Sequence, residues 1–217
     1  MKILITLGAT AEPIDGVRFI TNFSSGATGS FLADSLHKQG HKVLALCAKT
    51  AKYLPSSCRK DFFTDFDSLD KLIKKTIKKE NFDLIIHLAA VSDFSPKVII
   101  CGDKKLLPKD VKKLPSDKDL QIVLKSNFKI VERIKDYAAN KPVLVAFKLT
   151  NGAKGKSVVE AVSKVKGADF VVHNDLTQIT QKSRSFTIYK NVVKQKTCSL
   201  AKLPDTILAR TLAIKTF

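Results

Sequence analysis

The run Lys2-Ile3-Leu4-Ile5-Thr6-Leu7 is apolar and β-branched, with no polar alternation, and Gly8 stops it. Such a strand has no face to turn to water and must be covered on both sides. Sheets covered on both faces are parallel and are built from strand–helix–strand units. The rest of the chain keeps that pattern. Ser30 to Leu36 reads as a helix with Phe31, Leu32, Ser35 and Leu36 on one face, and Lys42 to Cys47 reads as the next strand. Asp83 to Ala90, Pro142 to Phe147 and Ala168 to His173 are further strands. Helical stretches intervene: one with Leu69, Leu72, Ile73 and Ile77 apolar, Asn127 to Ala139 with Ile130, Val131, Ile134 and Tyr137 on one side, and Lys156 to Val165. The expectation is an α/β fold: a Rossmann-like doubly wound, mostly parallel sheet with helices on both faces, in one domain over residues 1–217.

Ligands of open α/β sheets bind beyond the carboxyl ends of the strands, which places Gly8, Ala9 and Thr10 at a binding edge. The stretch from Gly8 to Gly29 holds groups suited to an activated acid. Gly8, Gly26 and Gly29 let backbone approach phosphates, Arg18 is a fixed cation, and Asn22 both donates and accepts hydrogen bonds. Ser25-Gly26-Ala27-Thr28-Gly29 leads into a helix whose free N–H groups and dipole favour an anion. A plain turn glycine is the competing reading of Gly8.

The same letters suggest an NADP-dependent short-chain dehydrogenase. That fingerprint needs its glycines directly after the first strand, and here Ala9 to Ser25 intervenes. The second strand should also end in an acidic residue. It ends in Cys47-Ala48-Lys49, which leaves only Lys49 for a 2′-phosphate.

Four blocks, in order, carry a more specific likeness. Glu12-Pro13-Ile14-Asp15, Val17 to Asn22 and Ser24-Ser25-Gly26 form the first; Ala89 to Phe94, Val143 to Leu149 and Asp169 to Asp175 are the others. Together they resemble phosphopantothenate–cysteine ligase of coenzyme A biosynthesis. Phe147-Lys148-Leu149 resembles the stand-alone and eukaryotic-type versions more than those fused to a decarboxylase, so the decarboxylase is expected on a separate chain. The resemblance implies that 4′-phosphopantothenate, L-cysteine and a nucleoside triphosphate (CTP or ATP) react through an acyl nucleotide. It also implies Mg²⁺ carried mainly on the phosphates, a homodimer and a cytoplasmic setting.

The resemblance also implies roles. Asn22 would hold the acyl nucleotide for attack by cysteine, against a loop-capping reading. Arg18 would bind phosphate or carboxylate, against an ion pair with Asp15 or Glu12. Ser24, Ser25, Gly26 and Gly29 would take the substrate phosphate or carboxylate. Gly8, Thr10, Ala89, Ala90, Asp93, Lys125, Ser126, Asn127, Phe147 and Lys166 would form the nucleotide site. A helix N-cap competes for Asp93, and a core packing role competes for Phe147. Val162 stands where the family often has a second triphosphate lysine, which Lys164 or Lys154 could replace. A flap around 103–118 would supply one more lysine: Lys113 if one residue is deleted before Leu120, otherwise Lys112 or Lys109. Lys109 to Ser116 shows no apolar periodicity to fix it to the core, so this segment is expected to move. Phe186 to Lys190 and Val192 to Leu200 read as a late strand pair around 186–200, followed by a helix from Pro204 to Ile214.

Charge raises one rival. Lys and Arg number 38 against 20 acidic residues, a net +18, which suits nucleic acid. No helix-turn-helix, zinc finger or aromatic-interleaved basic strand accompanies it, and lysines such as Lys74, Lys75, Lys78 and Lys79 fall on the solvated face of a helix. Nucleic acid is therefore not the expected partner, although the field would attract polyanionic substrates. Cys47, Cys58, Cys101 and Cys198 form no Cys-x-x-Cys pair, and His37, His41, His87 and His173 suggest no metal site. His87 reads as a packed histidine. No run reaches membrane-spanning length, and the N-terminus enters a strand without a signal-peptide layout.

Overall fold

The computed structural model describes residues 1–116, 119–180 and 184–215, with residue 109 described by its backbone only. Strand β1 (Lys2–Leu7) is followed by a short hairpin, β2 (Ala11–Pro13) and β3 (Phe19–Thr21), and then by α1 (Ala27–Lys38). β4 (Lys42–Ala48), β5 (Arg59–Phe63), α2 (Phe66–Lys79) and β6 (Leu84–His87) complete the first half. An arm of three strands comes next: β7 (Phe94–Cys101), β8 (Lys104–Leu106) and β9 (Leu120–Ser126). The second half comprises α3 (Ile130–Tyr137), β10 (Val143–Thr150), α4 (Lys156–Ser163), β11 (Phe170–Asp175), β12 (Ser185–Lys190), β13 (Val193–Ser199) and α5 (Leu203–Lys215).

The main sheet has eight strands in the order β13-β12-β11-β10-β6-β1-β4-β5. β1 pairs in parallel with β4 on one side and β6 on the other, so the winding reverses between β1 and β6. That reversal opens the crevice in which such sheets bind ligands. Only the last two strands, β12 and β13, run antiparallel.

Side-chain alternation sorts the core into two layers. Ile3, Ile5, Leu7, Ile86 and Val145 pack under α1 and α5, against Leu32, Leu36, Leu203 and Ile207. Leu4, Ile85 and Leu144 face the other way, against Leu69 and Ile73 of α2 and Ile130 and Ile134 of α3. By the same alternation Thr6, His87 and Ala146 lie on the α2/α3 face. α4 covers that face farther along, through Val158 and Val162 on Val171. Asp65 caps α2 reciprocally: its carboxylate accepts the Ser68 N–H while the Ser68 hydroxyl oxygen accepts the Asp65 N–H.

The sheet agrees with the reading from sequence, and several details differ. Phe31 is exposed, and the buried face of α1 is Gly29, Ser30, Leu32, Ala33 and Leu36. A Cβ on Gly29 would lie 2.5 Å from the Leu7 Cβ, so this glycine lets α1 sit directly on β1. The third strand stops at His87, and α3 is shorter than Asn127 to Ala139. The long spacer after Gly8 is a hairpin. Within the lysine-rich segment before β9, Leu114 is an anchor: it is 1% exposed, and its N–H donates to the buried carboxylate of Asp15 at 2.9 Å. One anchoring leucine leaves no period for a sequence pattern to show.

Candidate active site

A cavity of about 850 Å³ opens beyond the carboxyl ends of β6 and β10, next to the β1/β6 reversal. Both faces of the sheet contribute walls. On the α1 side lie Asn22, Ser24, Ser25, Gly26, Thr28, Phe147, Arg184 and Phe186. On the α3 side lie His87, Ala89, Phe128, Val131, Ala146 and Val165. The whole turn from Ala89 to Asp93 lines the cavity as well.

That turn is held from below. The Thr6 hydroxyl oxygen accepts the N–H groups of Leu88 (3.2 Å) and Ala89 (3.1 Å). Thr10 is fully buried, and its hydroxyl accepts the Ser92 N–H at 3.0 Å. Asn127 donates its amide N–H to the Ser92 carbonyl at 3.0 Å and its backbone N–H to the Asp93 carbonyl at 2.8 Å. Thr10 and Asn127 therefore shape the turn from behind it. Asp93 stands on the cavity wall, exposed and ion-paired with Lys129.

Asn22 lines the same cavity. Its Nδ2 donates to the Val91 carbonyl at 3.1 Å, which fixes the amide and leaves Oδ1 to face a ligand. Ser24, Ser25 and Gly26 lie where α1 begins; the N-cap Gly26 has no side chain, and the Ser25 hydroxyl accepts the Ala27 N–H at 3.5 Å. Arg184, which nothing in the sequence marks as a site residue, lines the same chamber and donates to the Thr28 hydroxyl at 3.2 Å. Only folding brings it there, by running the start of β12 past α1.

The remaining candidates lie apart from the wall. Arg18 pairs with Asp15 (3.2 Å), as its competing reading had it, and also donates to the Leu114 carbonyl at 3.5 Å. Asp15 accepts the N–H groups of Leu114, Val17 and Arg18, and the Leu114 bond does most to hold its carboxyl below the usual range, against the opposing effect of burial. Lys113, immediately before the anchored Leu114, is exposed. Gly8 packs on Ala48 and Gly29 on Leu7. Lys125, Ser126 and Lys166 are exposed outside the lining, whereas Lys164 is part of it.

At the back, Asp175 accepts from the Thr150 and Thr177 hydroxyls and from the N–H groups of Gly152 and Ala153. These bonds, led by that from Thr150, hold its carboxyl well below the ordinary range. His87 is the opposite case, since burial pushes its imidazole down to about 4. It is neutral at pH 7.

The sequence matches the family described as "DNA/pantothenate metabolism flavoprotein C-terminal domain" over residues 1–215. It is similar to the coenzyme A biosynthesis bifunctional protein CoaBC of Thermococcus kodakarensis, with 30% identity over 81% of this chain and 41% of that protein. The protein of the same name from Borreliella burgdorferi is 28% identical over 89% of this chain and 47% of its own length. The chain thus spans less than half the length of these relatives. Among solved structures, the DNA/pantothenate metabolism flavoprotein of Streptococcus pneumoniae superimposes with a TM-score of 0.84 at 26% identity, covering 99% of each chain. With the four blocks gathered around one cavity, the chain belongs to the DNA/pantothenate metabolism flavoprotein C-terminal domain family.

Proposed function

We propose that this protein is a phosphopantothenate–cysteine ligase of coenzyme A biosynthesis, joining 4′-phosphopantothenate to L-cysteine at the expense of CTP or ATP. The observation that carries this is one cavity lined from both faces of the sheet, with Asn22, the start of α1 and the Ala89–Asp93 turn all on its wall. The α1 side offers free helix N–H groups and Arg184 to an anionic acid. The α3 side offers apolar walls and small residues to a nucleotide.

In the first step a carboxylate oxygen attacks the α-phosphorus and pyrophosphate leaves. In the second the cysteine amine attacks the acyl carbon, the amide bond forms, and the nucleoside monophosphate departs. The protein positions and neutralises charge, with no covalent enzyme intermediate. In this reading Oδ1 of Asn22 orients the amine. Among the described lining residues Asp93 is the only carboxylate, a donor set that suits Mg²⁺ held through phosphates and water. When bound, the ion would offset phosphate charge.

A homodimer formed through the three-stranded arm is part of this reading. Phe94, Val123 and Leu124 of the arm are exposed, and because the last two are consecutive, both faces of β9 are uncovered. The test is product formation from phosphopantothenate and cysteine with each of the four triphosphates. Turnover with none of them removes the proposal.

A further inference from the structure

His87 reads in the sequence as a packing residue, and the structure gives it a second aspect. It ends β6, is only 7% exposed, and lines the cavity on the α3 side. Its Nδ1 lies 2.9 Å from the Thr6 hydroxyl oxygen. That oxygen already accepts two backbone N–H groups, so its own hydrogen is left for Nδ1. Nδ1 is therefore the acceptor and Nε2 carries the proton. No buried side-chain nitrogen or oxygen among the described residues lacks a partner. No described group bonds Nε2, so it must be open to the cavity.

The surroundings decide what such a donor meets. Ala89, Phe128, Val131, Ala146 and Val165 make this chamber apolar, while the exposed Lys129 and Lys164 border it. A flat heteroaromatic ring suits the interior, and a polyphosphate suits the lysines. We propose that His87 is a specificity-determining residue whose Nε2–H donates to a ring-nitrogen or carbonyl acceptor of the nucleobase, with Thr6 fixing the tautomer that makes this possible. The inference rests on the nucleotide reading above. In an apolar chamber a lone N–H discriminates strongly, because a base with no acceptor there leaves the donor unpaired.

Two amide substitutions separate this role from packing. In His87→Asn the amide reaches the Nδ1 position and can keep the contact to Thr6, but nothing extends to Nε2. In His87→Gln an amide N–H reaches close to the Nε2 position. Measured kcat/KM with CTP, ATP, UTP and GTP should fall about 10- to 100-fold for the best triphosphate in His87→Asn. Poor triphosphates should lose less, and KM for cysteine should hold. His87→Gln should recover most of the loss. An equal loss for all four triphosphates, no loss, or no difference between Gln and Asn overturns the proposal. Calorimetric titration of each triphosphate without phosphopantothenate gives the same comparison as dissociation constants. Wild-type protein that binds triphosphates selectively but makes no product would sink the ligase reading and leave the His87 test standing.

Discussion

Replacing Leu114 by alanine probes the segment that the sequence suggests is loose. Leu114 is 1% exposed, and three kinds of bond surround it. Its N–H meets Asp15, its carbonyl receives Arg18, and the Gly16 N–H donates to the carbonyls of Val111 (3.0 Å) and Lys112 (3.1 Å). Removing a buried leucine's outer carbons costs about 2–3 kcal/mol at a site able to close up in part. At about 1.4 kcal/mol per decade, that is roughly a 30- to 150-fold rise in the population of the undocked segment. Hydrogen exchange reads this directly. In the wild type without nucleotide, the amides of Gly16 and Leu114 should be protected, though less than those of β1. In Leu114→Ala they should lose most of that protection while β1 stays strongly protected. Gly16→Ala should act alike by another route, because its Cβ would lie 2.5 Å from the Lys112 carbonyl oxygen. Unchanged Gly16 and Leu114 rates in the variant, or a single rate shared with β1 in the wild type, would refute the reasoning.

Other outcomes follow from the site and the core. Asn22→Asp should still release pyrophosphate with phosphopantothenate yet yield no cysteine adduct; failure to trap an acyl nucleotide by mass spectrometry would place Asn22 elsewhere in the reaction. Lys164→Gln should raise KM for the triphosphate more than Lys166→Gln does, since only Lys164 lines the cavity, and the reverse order would restore Lys166 to the phosphates. Gly29→Ala drives a methyl into Leu7 and should cost about 1–3 kcal/mol, lowering Tm by roughly 2–10 °C. The His87 pKa falls from 6.5 to about 4 on folding, so between those values the unfolded chain binds the extra proton. Stability from this group is therefore complete above pH 6.5 and declines as pH drops towards 4. His87→Gln should flatten that part of a Tm-versus-pH curve, and an unchanged slope would show that His87 is not buried neutral.

The parallel core was legible because burial on both faces writes itself into contiguous residues, as in Ile3 to Leu7 and Leu84 to Ile86. α2 was legible because Leu69, Ile73 and Ile77 repeat at helical spacing. Asn22, Ser24, Ser25 and Gly26 were found as a local string, and folding brings them to the wall with Ala89, Ala90 and Asp93. What remained hidden depends on distant pairs. β5 is mostly exposed, with only Phe63 buried, and is a strand because β4 offers it an edge. Leu114 and Asp15 make sense only together, 99 positions apart. Arg184 reaches its chamber through a contact with Thr28 across 156 positions, and the free nitrogen of His87 depends on Thr6, 81 positions away.

Glu12 and Asp15 lie in one short stretch, and each grips something far along the chain. The Glu12 carboxylate accepts the Phe66 N–H at the head of α2 and the Ser95 hydroxyl of β7, at 2.9 and 2.8 Å. Asp15 grips Leu114, on the connection between β8 and β9. The hairpin that presents Asn22 is thus geared at two points to the arm, which stands outside the main sheet. A body fastened to the arm, whether a second copy, an antibody fragment or an engineered cross-link, would bear on that hairpin through Ser95 and Leu114 rather than through the cavity.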